Sequence, residues 1–164
     1  MKVKCTLKTP LGEMIALAEQ DILCELWFAD QRFKPKSIGE YEENKDCPLF
    51  KVLRDQLDAY FAGRLRAFDL PLAPAGSAFQ MAVWALLRKI PLGATVTYGA
   101  LARQLAEVRQ GRFPAAQAVG GAVGRNPIEI IIPCHRVVGA NGSLTGYAGG
   151  LERKAALLEL EKCK

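Results

Sequence analysis

Hydrophobic and polar residues alternate along the first thirty positions of the chain. The segments KVKCTLKTP and LGEMIALAEQDILCELWFAD carry this alternation, with turn signals at residues 10–12 and near residues 20–21. Successive side chains of a strand point to opposite faces of the sheet, so alternation of this kind is typical of a strand with one buried face. The pattern predicts a hairpin set or β-meander of about three strands, followed by a polar loop over residues 31–46.

The next apolar pattern has helical spacing. FKVLRDQLDAYFAG places its apolar residues on one face, and Gly63 supplies a stop signal. Residues 71–76, PLAPAG, are rich in Pro and Gly and predict a domain boundary. We therefore expect an N-terminal α/β domain over residues 1–75 and a second domain over residues 76–164.

The second half predicts a mainly helical domain. Ser77 has the features of an N-cap for SAFQMAVWALLRKI, and a short extended entry precedes a helix that begins at about Tyr98 or Gly99. AAQAVGGAVGRN predicts a helix of small residues, IEIIIP a buried strand, and LERKAALLELEK a closing helix. The helices near 99–108 and 114–124 follow the order of a helix-turn-helix. Small residues fit either close approach to a DNA groove or tight packing inside the domain.

Charge separates the two halves of the 164 residues. Residues 1–75 hold 11 Lys and Arg against 12 Asp and Glu, a net of −1, and residues 76–164 hold 11 against 5, a net of +6. A basic half fits a polyanion such as nucleic acid, and it equally fits an ordinary solvated surface. The N-terminus lacks an apolar signal region, and no apolar run approaches the ~20 residues of a membrane span. We expect a soluble, cytoplasmic protein.

Five cysteines are present and none forms a CxxC pair, which disfavours a zinc ribbon or a thioredoxin-type motif. Cys5 and Cys24 could in principle share a metal ion. The chain has one histidine, however, and its position beside Cys134 indicates other chemistry. We therefore predict reduced thiols and no metal site.

The stretch IIPCHRVVG, residues 131–139, carries the candidate chemistry. A thiol becomes a nucleophile when it loses its proton, and a nearby base or positive charge favours this by lowering the thiol pKa. Cys134 therefore needs a partner such as His135. A carboxylate would orient the imidazole; Glu161 is a candidate, and spacing alone does not select it over Glu159 or Glu152. The alternative is structural: a small buried cysteine and a hydrogen-bonded histidine at a strand end.

With these motifs in place, the sequence resembles the methylated-DNA–protein-cysteine methyltransferases, also called O6-alkylguanine-DNA alkyltransferases. The resemblance runs through FQMAVWALLRKIPLGATVTYGALA and AVGGAVGRNPIEIIIPCHRVVGANGSLTGYAGGLERKAALLELE, with an intact PCHRV motif, and is weaker in the N-terminal half. It implies a ribonuclease-H-like N-terminal domain with a small antiparallel sheet and a helix. It also implies a C-terminal, mainly helical domain that carries a helix-turn-helix and an active-site strand.

The resemblance implies a single-use DNA repair reaction on O6-methylguanine and, as a further possibility, O4-methylthymine. A flipped base would lose its alkyl group to Cys134, irreversibly, while Tyr98 donates to the leaving base. His135 would act through a water molecule, Glu161 would hold His135, and Asn126 would order the turns around the site. Arg136 is expected to bridge a carboxylate.

The resemblance also assigns binding residues. The Val137 backbone, Tyr147 and the neighbouring Ala148 would line the guanine pocket. Gln117 occupies the position of an arginine that fills the gap left by the flipped base. The minor-groove face of the second helix is implied to include Ala115, Ala116 and Gly120.

No cofactor is expected, because the methyl group arrives with the substrate, and the protein is expected to act as a monomer on double-stranded DNA and not on a membrane. Two alternatives remain. A protein of the same fold could bind alkylated bases without repairing them, a reading that only Gln117 favours. An unrelated Cys-His hydrolase would need an oxyanion hole and turnover.

Overall fold

The computed structural model describes residues 1–31 and 36–162 of the chain. Three antiparallel strands form the N-terminal sheet, as the alternating pattern predicts. They are β1 (Lys2–Thr9), β2 (Gly12–Glu19) and β3 (Ile22–Phe28), and β1 pairs with β2 from Lys2↔Glu19 to Thr9↔Gly12. One face of the sheet contributes fully buried side chains such as Met14, Leu23 and Phe28 to the core.

The prediction of a continuous loop over residues 31–46 is wrong. Strand β4 (Glu42–Glu43) pairs in parallel with β1 and gives the sheet the order β3-β2-β1-β4, and a 3-10 helix covers Lys36–Glu40. Residues 32–35 of this predicted loop lie outside the described residues. A strand of two residues has no detectable alternation, and its pairing partner is about forty positions away, so local pattern does not predict it.

Helix α1 (Pro48–Phe61) lies against β1 and confirms the predicted helical spacing. The chain turns immediately after the helix, where Gly63 has a φ of 80°. This left-handed conformation favours glycine, which explains the stop signal. The buried face of α1 comprises Leu49, Phe50, Leu53, Leu57 and Tyr60.

Local capping explains the starts of the next two helices. In α2 (Ala78–Leu87), the Ser77 hydroxyl accepts from the Gln80 N–H, and the Gln80 side chain accepts from the Ser77 N–H. This capping box satisfies two donors that the helix itself cannot bond. The two-residue strand β5 (Val96–Thr97) then leads into α3 (Tyr98–Val108), where Thr97 is the N-cap. Both predicted starts are confirmed.

Helix α4 (Ala116–Gly124) packs against α2 and α3 through its buried face of Val119, Ala122 and Val123. The indole of Trp84 donates to the Ala122 carbonyl at 2.9 Å and so joins α2 to α4. The opposite face of the helix, which includes Gln117, is exposed. Helix α4 therefore packs through one face and leaves the opposite face open.

The predicted buried strand over IEIIIP is wrong. Residues 128–132 form turns, because the Asn126 side chain accepts from the Ile128 N–H at 2.9 Å and donates to the Ile132 carbonyl at 2.6 Å. Ile130 has a φ of 70°, which is incompatible with an extended strand. Apolar composition predicts burial correctly but does not distinguish buried turns from a strand.

A 3-10 helix, Cys134–Arg136, follows these turns, so Cys134 lies at a helix start and not at a strand end. Strand β6 (Val137–Val138) comes next and pairs in parallel with β5. After a short 3-10 helix over Ala140–Gly142, the closing helix α5 (Leu151–Lys162) ends the described chain as predicted. Among the helices of the described residues, none has the length and apolar character needed to cross a membrane.

Candidate active site

Cys134 is a buried thiol that hydrogen-bonds to the carboxyl group of Glu129. Its side chain is 3% exposed, and Sγ donates to Oε2 of Glu129 at 3.4 Å. Burial and the negative charge of Glu129 raise the pKa of the Cys134 thiol well above its usual range, and the Asn126 side chain opposes that shift. The thiol is therefore protonated in this arrangement and needs a base to become a nucleophile.

His135 makes an ion-pair-type hydrogen bond with Glu161. Both side chains are buried, and Nε2 of His135 lies 2.7 Å from Oε2 of Glu161. Although burial favours a neutral carboxyl, the hydrogen bonds from His135, Arg136 and Tyr60 lower the pKa of Glu161 to about 2. An ionised Glu161 accepts from Nε2–H, which leaves Nδ1 of His135 as the acceptor nitrogen.

Nδ1 of His135 is buried and has no hydrogen-bond partner among the described residues. Burial lowers the pKa of His135, and the neighbouring Glu161 opposes this shift. The ring is therefore neutral, with one free acceptor nitrogen. This arrangement can receive a proton through a bridging molecule.

Arg136 and Tyr60 complete the carboxylate's hydrogen bonds. Arg136 donates to Glu161 through Nε at 2.8 Å and Nη2 at 3.1 Å, and through Nη1 to the Ile90 carbonyl at 2.6 Å. Tyr60 donates to Oε2 of Glu161 at 2.5 Å. The geometry thus brings Glu161, and neither of the exposed Glu152 and Glu159, to the histidine. Arg136 bridges a carboxylate, as expected for it.

A loop carrying Tyr147 closes the site on another side. The Tyr147 ring lies edge-on to His135, with centroids 6.5 Å apart, and its hydroxyl is buried. Lys154 of α5 holds the loop by donating to the carbonyls of Thr145 at 2.7 Å and Gly146 at 3.1 Å. Tyr98, at the start of α3, reaches the same loop, where its hydroxyl donates to the Thr145 carbonyl at 3.4 Å.

A cavity of about 550 Å³ opens between α4, the loop and β3. Ala148 and Asn126 line it, whereas Cys134, Val137 and Tyr147 are not among its described lining residues. Val137 is fully buried beside the 3-10 helix. The structure thus places Ala148 at the cavity and Val137 and Tyr147 in the packed layer around the thiol.

The predicted DNA-binding residues share one exposed region. Ala115, Ala116 and Gln117 are exposed at the start of α4, and Gly120 is partly exposed one turn later. Nothing lies within 4 Å of the position a Cβ on Gly120 would occupy. The side chain of Arg109 lies over the Phe79 ring at 5.3 Å, so part of the basic charge in this half packs against the domain.

The described residues contain no group of three or more His, Cys, Asp or Glu side chains that could hold a metal ion. Cys5, Cys24, Cys47 and Cys134 are free thiols. Cys163 lies outside the described residues.

Comparison with known proteins places this site in a family. Residues 2–74 match the profile of the ribonuclease-like domain of 6-O-methylguanine DNA methyltransferase, and residues 78–163 match the profile of its DNA binding domain. The chain belongs to the methylated-DNA–protein-cysteine methyltransferase family. The predicted resemblance and the predicted methyltransferase class are confirmed.

Individual relatives agree along nearly the whole chain. The methylated-DNA–protein-cysteine methyltransferase of Methanosarcina mazei is 45% identical over 156 residues, covering 95% of this chain and 94% of the relative. That of Mycobacterium leprae is 46% identical over 157 residues, covering 96% and 90%. These relatives carry the name of a protein that transfers a methyl group from DNA to a cysteine.

Solved structures of the family confirm the predicted fold class. The O6-methylguanine methyltransferase of Mycobacterium tuberculosis superposes with a TM-score of 0.87 at 44% identity, covering 99% of this chain and 94% of that one. The same mycobacterial protein in complex with DNA gives a TM-score of 0.85 at 43% identity, covering 98% and 92%. The predicted boundary between residues 75 and 76 stays a prediction.

Three residues of the site are absent from the sequence-based prediction. Tyr60 and Lys154 lie at helically spaced positions on the buried faces of α1 and α5. Nothing in the sequence distinguishes Tyr60 from an ordinary core residue or Lys154 from an ordinary surface residue. Glu129 had a signal, since it is the one charged residue in the apolar run IEIIIP. An acidic side chain in such a run is buried only with a compensating partner or a functional reason.

Proposed function

We propose that the chain repairs O6-alkylguanine in duplex DNA by transferring the alkyl group irreversibly to Cys134. The observation that carries this proposal is the buried thiol beside the His135–Glu161 pair, in the domain that also holds the helix pair α3–α4. The proposal includes O4-methylthymine as a second substrate, because this base also carries a methyl group on an oxygen atom of its ring substituent. The protein would act as a monomer in the cytoplasm, where its partner is double-stranded DNA containing alkylated bases.

The proposed reaction is one displacement at an sp³ carbon. Cys134 loses its proton, its sulfur attacks the methyl carbon, and the carbon–O6 bond breaks with its electron pair passing to guanine. The departing guanine then takes a proton. Because the product is a thioether, which is a poor leaving group, the protein is consumed after one transfer. No tetrahedral intermediate forms, so the oxyanion hole of an acyl-transfer enzyme is unnecessary, and the negative charge develops on the departing guanine. No cofactor is needed, because the methyl group arrives with the substrate.

The family resemblance suggests a role for each surrounding residue. His135 would receive the thiol proton through a water at Nδ1, while Glu161 holds the ring by Nε2. Asn126 fixes the turns that lead to Cys134, and Tyr98 would donate to the departing base. Residues proposed for the guanine pocket are Val137, Tyr147 and Ala148.

The DNA side of the proposal uses the open face of α4. Small side chains at Ala115, Ala116 and Gly120 leave room for a minor groove to approach the helix backbone. Gln117 would fill the gap that the flipped base leaves. Extrusion of a base costs a few kcal/mol, and an uncharged, shorter side chain offsets less of that cost than arginine would.

The first experiment is intact mass after incubation with duplex DNA that contains one O6-methylguanine. We expect a gain of roughly 14 Da, one methylene, that saturates at one per protein. Cys134→Ala should show no gain, and an undamaged duplex should give none with the wild type. Release of product over many cycles without a mass gain would instead favour a Cys-His hydrolase.

Binding to the damaged duplex without a mass gain would favour a protein that recognises alkylated bases but does not repair them. A fluorescence anisotropy titration of Cys134→Ala with damaged and undamaged duplexes separates recognition from transfer. Retained preference for the damaged duplex in this variant is expected under the repair proposal too. The mass gain of the wild type therefore decides between the two functions.

A further inference from the structure

Arg153 of α5 contacts the N-terminal sheet and the loop that carries Tyr147. Its Nε donates to the Leu11 carbonyl at 2.8 Å, in the turn between β1 and β2. Its Nη1 and Nη2 donate to the Asp30 carboxylate at 2.7 and 3.2 Å, just beyond the end of β3. Nη1 also donates to the Gly149 carbonyl at 3.1 Å. One side chain thus ties the end of the loop to two points of the N-terminal sheet.

The Phe28 ring extends this connection to Tyr147. The guanidinium of Arg153 lies over the Phe28 ring, 4.2 Å from its centroid. A Cβ built on Gly149 would lie 2.9 Å from Cδ2 of Phe28 and 2.7 Å from Cε2 of Tyr147, so both rings pack closely against this backbone. The packed series therefore runs from Arg153 through the Phe28 ring to Tyr147.

The position of Arg153 depends on its backbone contacts more than on its ion pair. The Arg153 side chain is 19% exposed, whereas that of Asp30 is 71% exposed, and an ion pair with so exposed a partner contributes little. A Cβ on Gly12 would lie 2.7 Å from Nη2 of Arg153, and Gly12 has a φ of 125°, which favours glycine. The turn between β1 and β2 thus leaves the space that the guanidinium occupies.

Two consecutive residues of α5 hold the two ends of the loop. Lys154 donates to two carbonyls at its start, and Arg153 donates to one at its end. The residues between these contacts include Tyr147 and Ala148, which are proposed for the guanine pocket. The contact through Arg153 also reaches the N-terminal sheet, so the sheet and the pocket loop share one anchor.

We propose that Arg153 is a positioning residue for the guanine pocket, through which the N-terminal sheet fixes Tyr147 and Ala148 before the base arrives. This inference rests on the proposed alkyl transfer. A pocket that is already ordered binds its ligand without paying for the ordering of a loop. Arg153 should therefore lower the substrate concentration that the protein needs, and leave the chemical step at Cys134 unchanged.

The test is single-turnover transfer from free O6-benzylguanine, measured over a range of concentrations for wild type and Arg153→Ala. We expect the half-saturating concentration to rise by about tenfold in Arg153→Ala, the effect of one or two side chains that must be ordered on binding. The limiting rate should stay close to that of the wild type. Arg153→Lys should give an intermediate half-saturating concentration, because an ammonium group cannot reproduce the planar fork of donors.

Arg54→Ala is the matched control. Arg54 lies on α1 and also donates to the backbone carbonyl of another segment, that of Lys45 at 3.0 Å. Its removal should leave the half-saturating concentration at the wild-type value. Urea unfolding shows whether each variant is folded under the assay conditions. If Arg153→Ala does not fold, Arg153→Lys carries the same measurements.

Hydrogen exchange of the amides in residues 145–150 provides a readout that does not depend on transfer. Arg153→Ala should exchange faster than wild type in this loop, and Arg54→Ala should not. A wild type that accepts no alkyl group, together with faster loop exchange in Arg153→Ala, would sink the repair function and leave the positioning role of Arg153 in place.

Three results would overturn the inference while the repair function stands. The first is an unchanged half-saturating concentration in Arg153→Ala with unchanged loop exchange. The second is a lower limiting rate at the wild-type half-saturating concentration, which would mean that Arg153 acts on the chemical step. The third is wild-type behaviour of Arg153→Lys, which would mean that a positive charge alone is sufficient.

Discussion

Tyr60 in the N-terminal domain and Glu161 in the closing helix are joined by a 2.5 Å hydrogen bond, although 101 positions separate them. The same carboxylate holds His135 and Arg136. The N-terminal domain thus supplies one of the donors that keep this acid ionised beside the nucleophile. It contributes to the site's electrostatics as well as to the core.

Tyr60→Phe removes this donor and keeps the ring. We expect the free energy of unfolding to fall by about 1.5–3 kcal/mol, the range for a hydrogen bond to a charged group. The lowered pKa of Glu161 gives stability that is present above its ordinary value of 4.5 and is lost as pH falls toward about 2. In Tyr60→Phe the folded-state pKa of Glu161 should rise, so this stabilisation should be smaller and its loss complete at a higher pH.

Urea unfolding of Tyr60→Phe between pH 2 and pH 7 measures both effects. Tyr41→Phe removes a hydroxyl from the same domain, outside the Glu161 network, and serves as the control. Equal acid midpoints in the wild type and Tyr60→Phe would show that Tyr60 does not act on Glu161.

Glu129 should make the protein less stable as pH rises. Its pKa is raised from 4.5 to about 7, so the folded state binds this proton more tightly than the unfolded state does. The contribution is complete below pH 4.5 and is lost as pH rises through 7, a change of about 3 kcal/mol. At pH 8 the free energy of unfolding of Glu129→Gln should therefore be about 1–3 kcal/mol higher than that of the wild type.

At pH 5 the two proteins should differ by less than about 1 kcal/mol, since most of this carboxyl is then neutral in the folded state. Denaturant unfolding at the two pH values tests the prediction. A constant difference between wild type and Glu129→Gln at both would mean that Glu129 is not the group that titrates near 7.

Gln117→Arg should increase the rate of transfer from duplex DNA by roughly tenfold, which corresponds to about 1.4 kcal/mol. The added side chain is longer and charged, and residue 117 is exposed on the open face of α4. Reaction with free O6-benzylguanine, which needs no base flipping, should barely change. Quenched single-turnover reactions measure the rate of transfer from each substrate. Equal acceleration with both substrates would argue against a role of residue 117 in base flipping.

Gly149→Ala should disturb the loop that carries Tyr147. A Cβ at this position would lie 2.7 Å from Cε2 of Tyr147 and 2.9 Å from Cδ2 of Phe28, so at least one ring must move. We expect a loss of about 1–3 kcal/mol in stability and slower transfer.

Gly39→Ala is the control for Gly149→Ala, because nothing lies within 4 Å of its added Cβ. Thermal unfolding and the reaction with free O6-benzylguanine provide the two readouts. Wild-type values for Gly149→Ala in both would show that the loop accommodates the methyl group without moving Tyr147.

The sequence predicts the elements whose signals are local. The caps at Ser77 and Thr97, and the alternation of β1 to β3, depend on residues within a few positions of one another. The turns at residues 128–132 depend instead on two side-chain hydrogen bonds of Asn126 within an apolar run. Composition cannot reveal those bonds, which is why the run resembles a strand.

The site divides in the same way. Cys134 and His135 are identified by a contiguous motif, whereas residue spacing leaves three candidate glutamates. The family resemblance selects Glu161 among them, and the fold brings it to His135. Tyr60 reaches the site through the packing of α1, which no local pattern encodes. Glu129 depends on where the turns direct its side chain.

The outer edge of β3 has a further consequence, for protein handling. Leu23 and Leu26 use their backbone groups to bond Pro71, Ala73, Pro127 and Glu129, so the segment around residues 71–73 and the turns before Cys134 cover this edge. An uncovered strand edge is a template for aggregation. A fragment that ends at the predicted boundary would expose the part of ILCELWF around Leu26, and we expect it to self-associate.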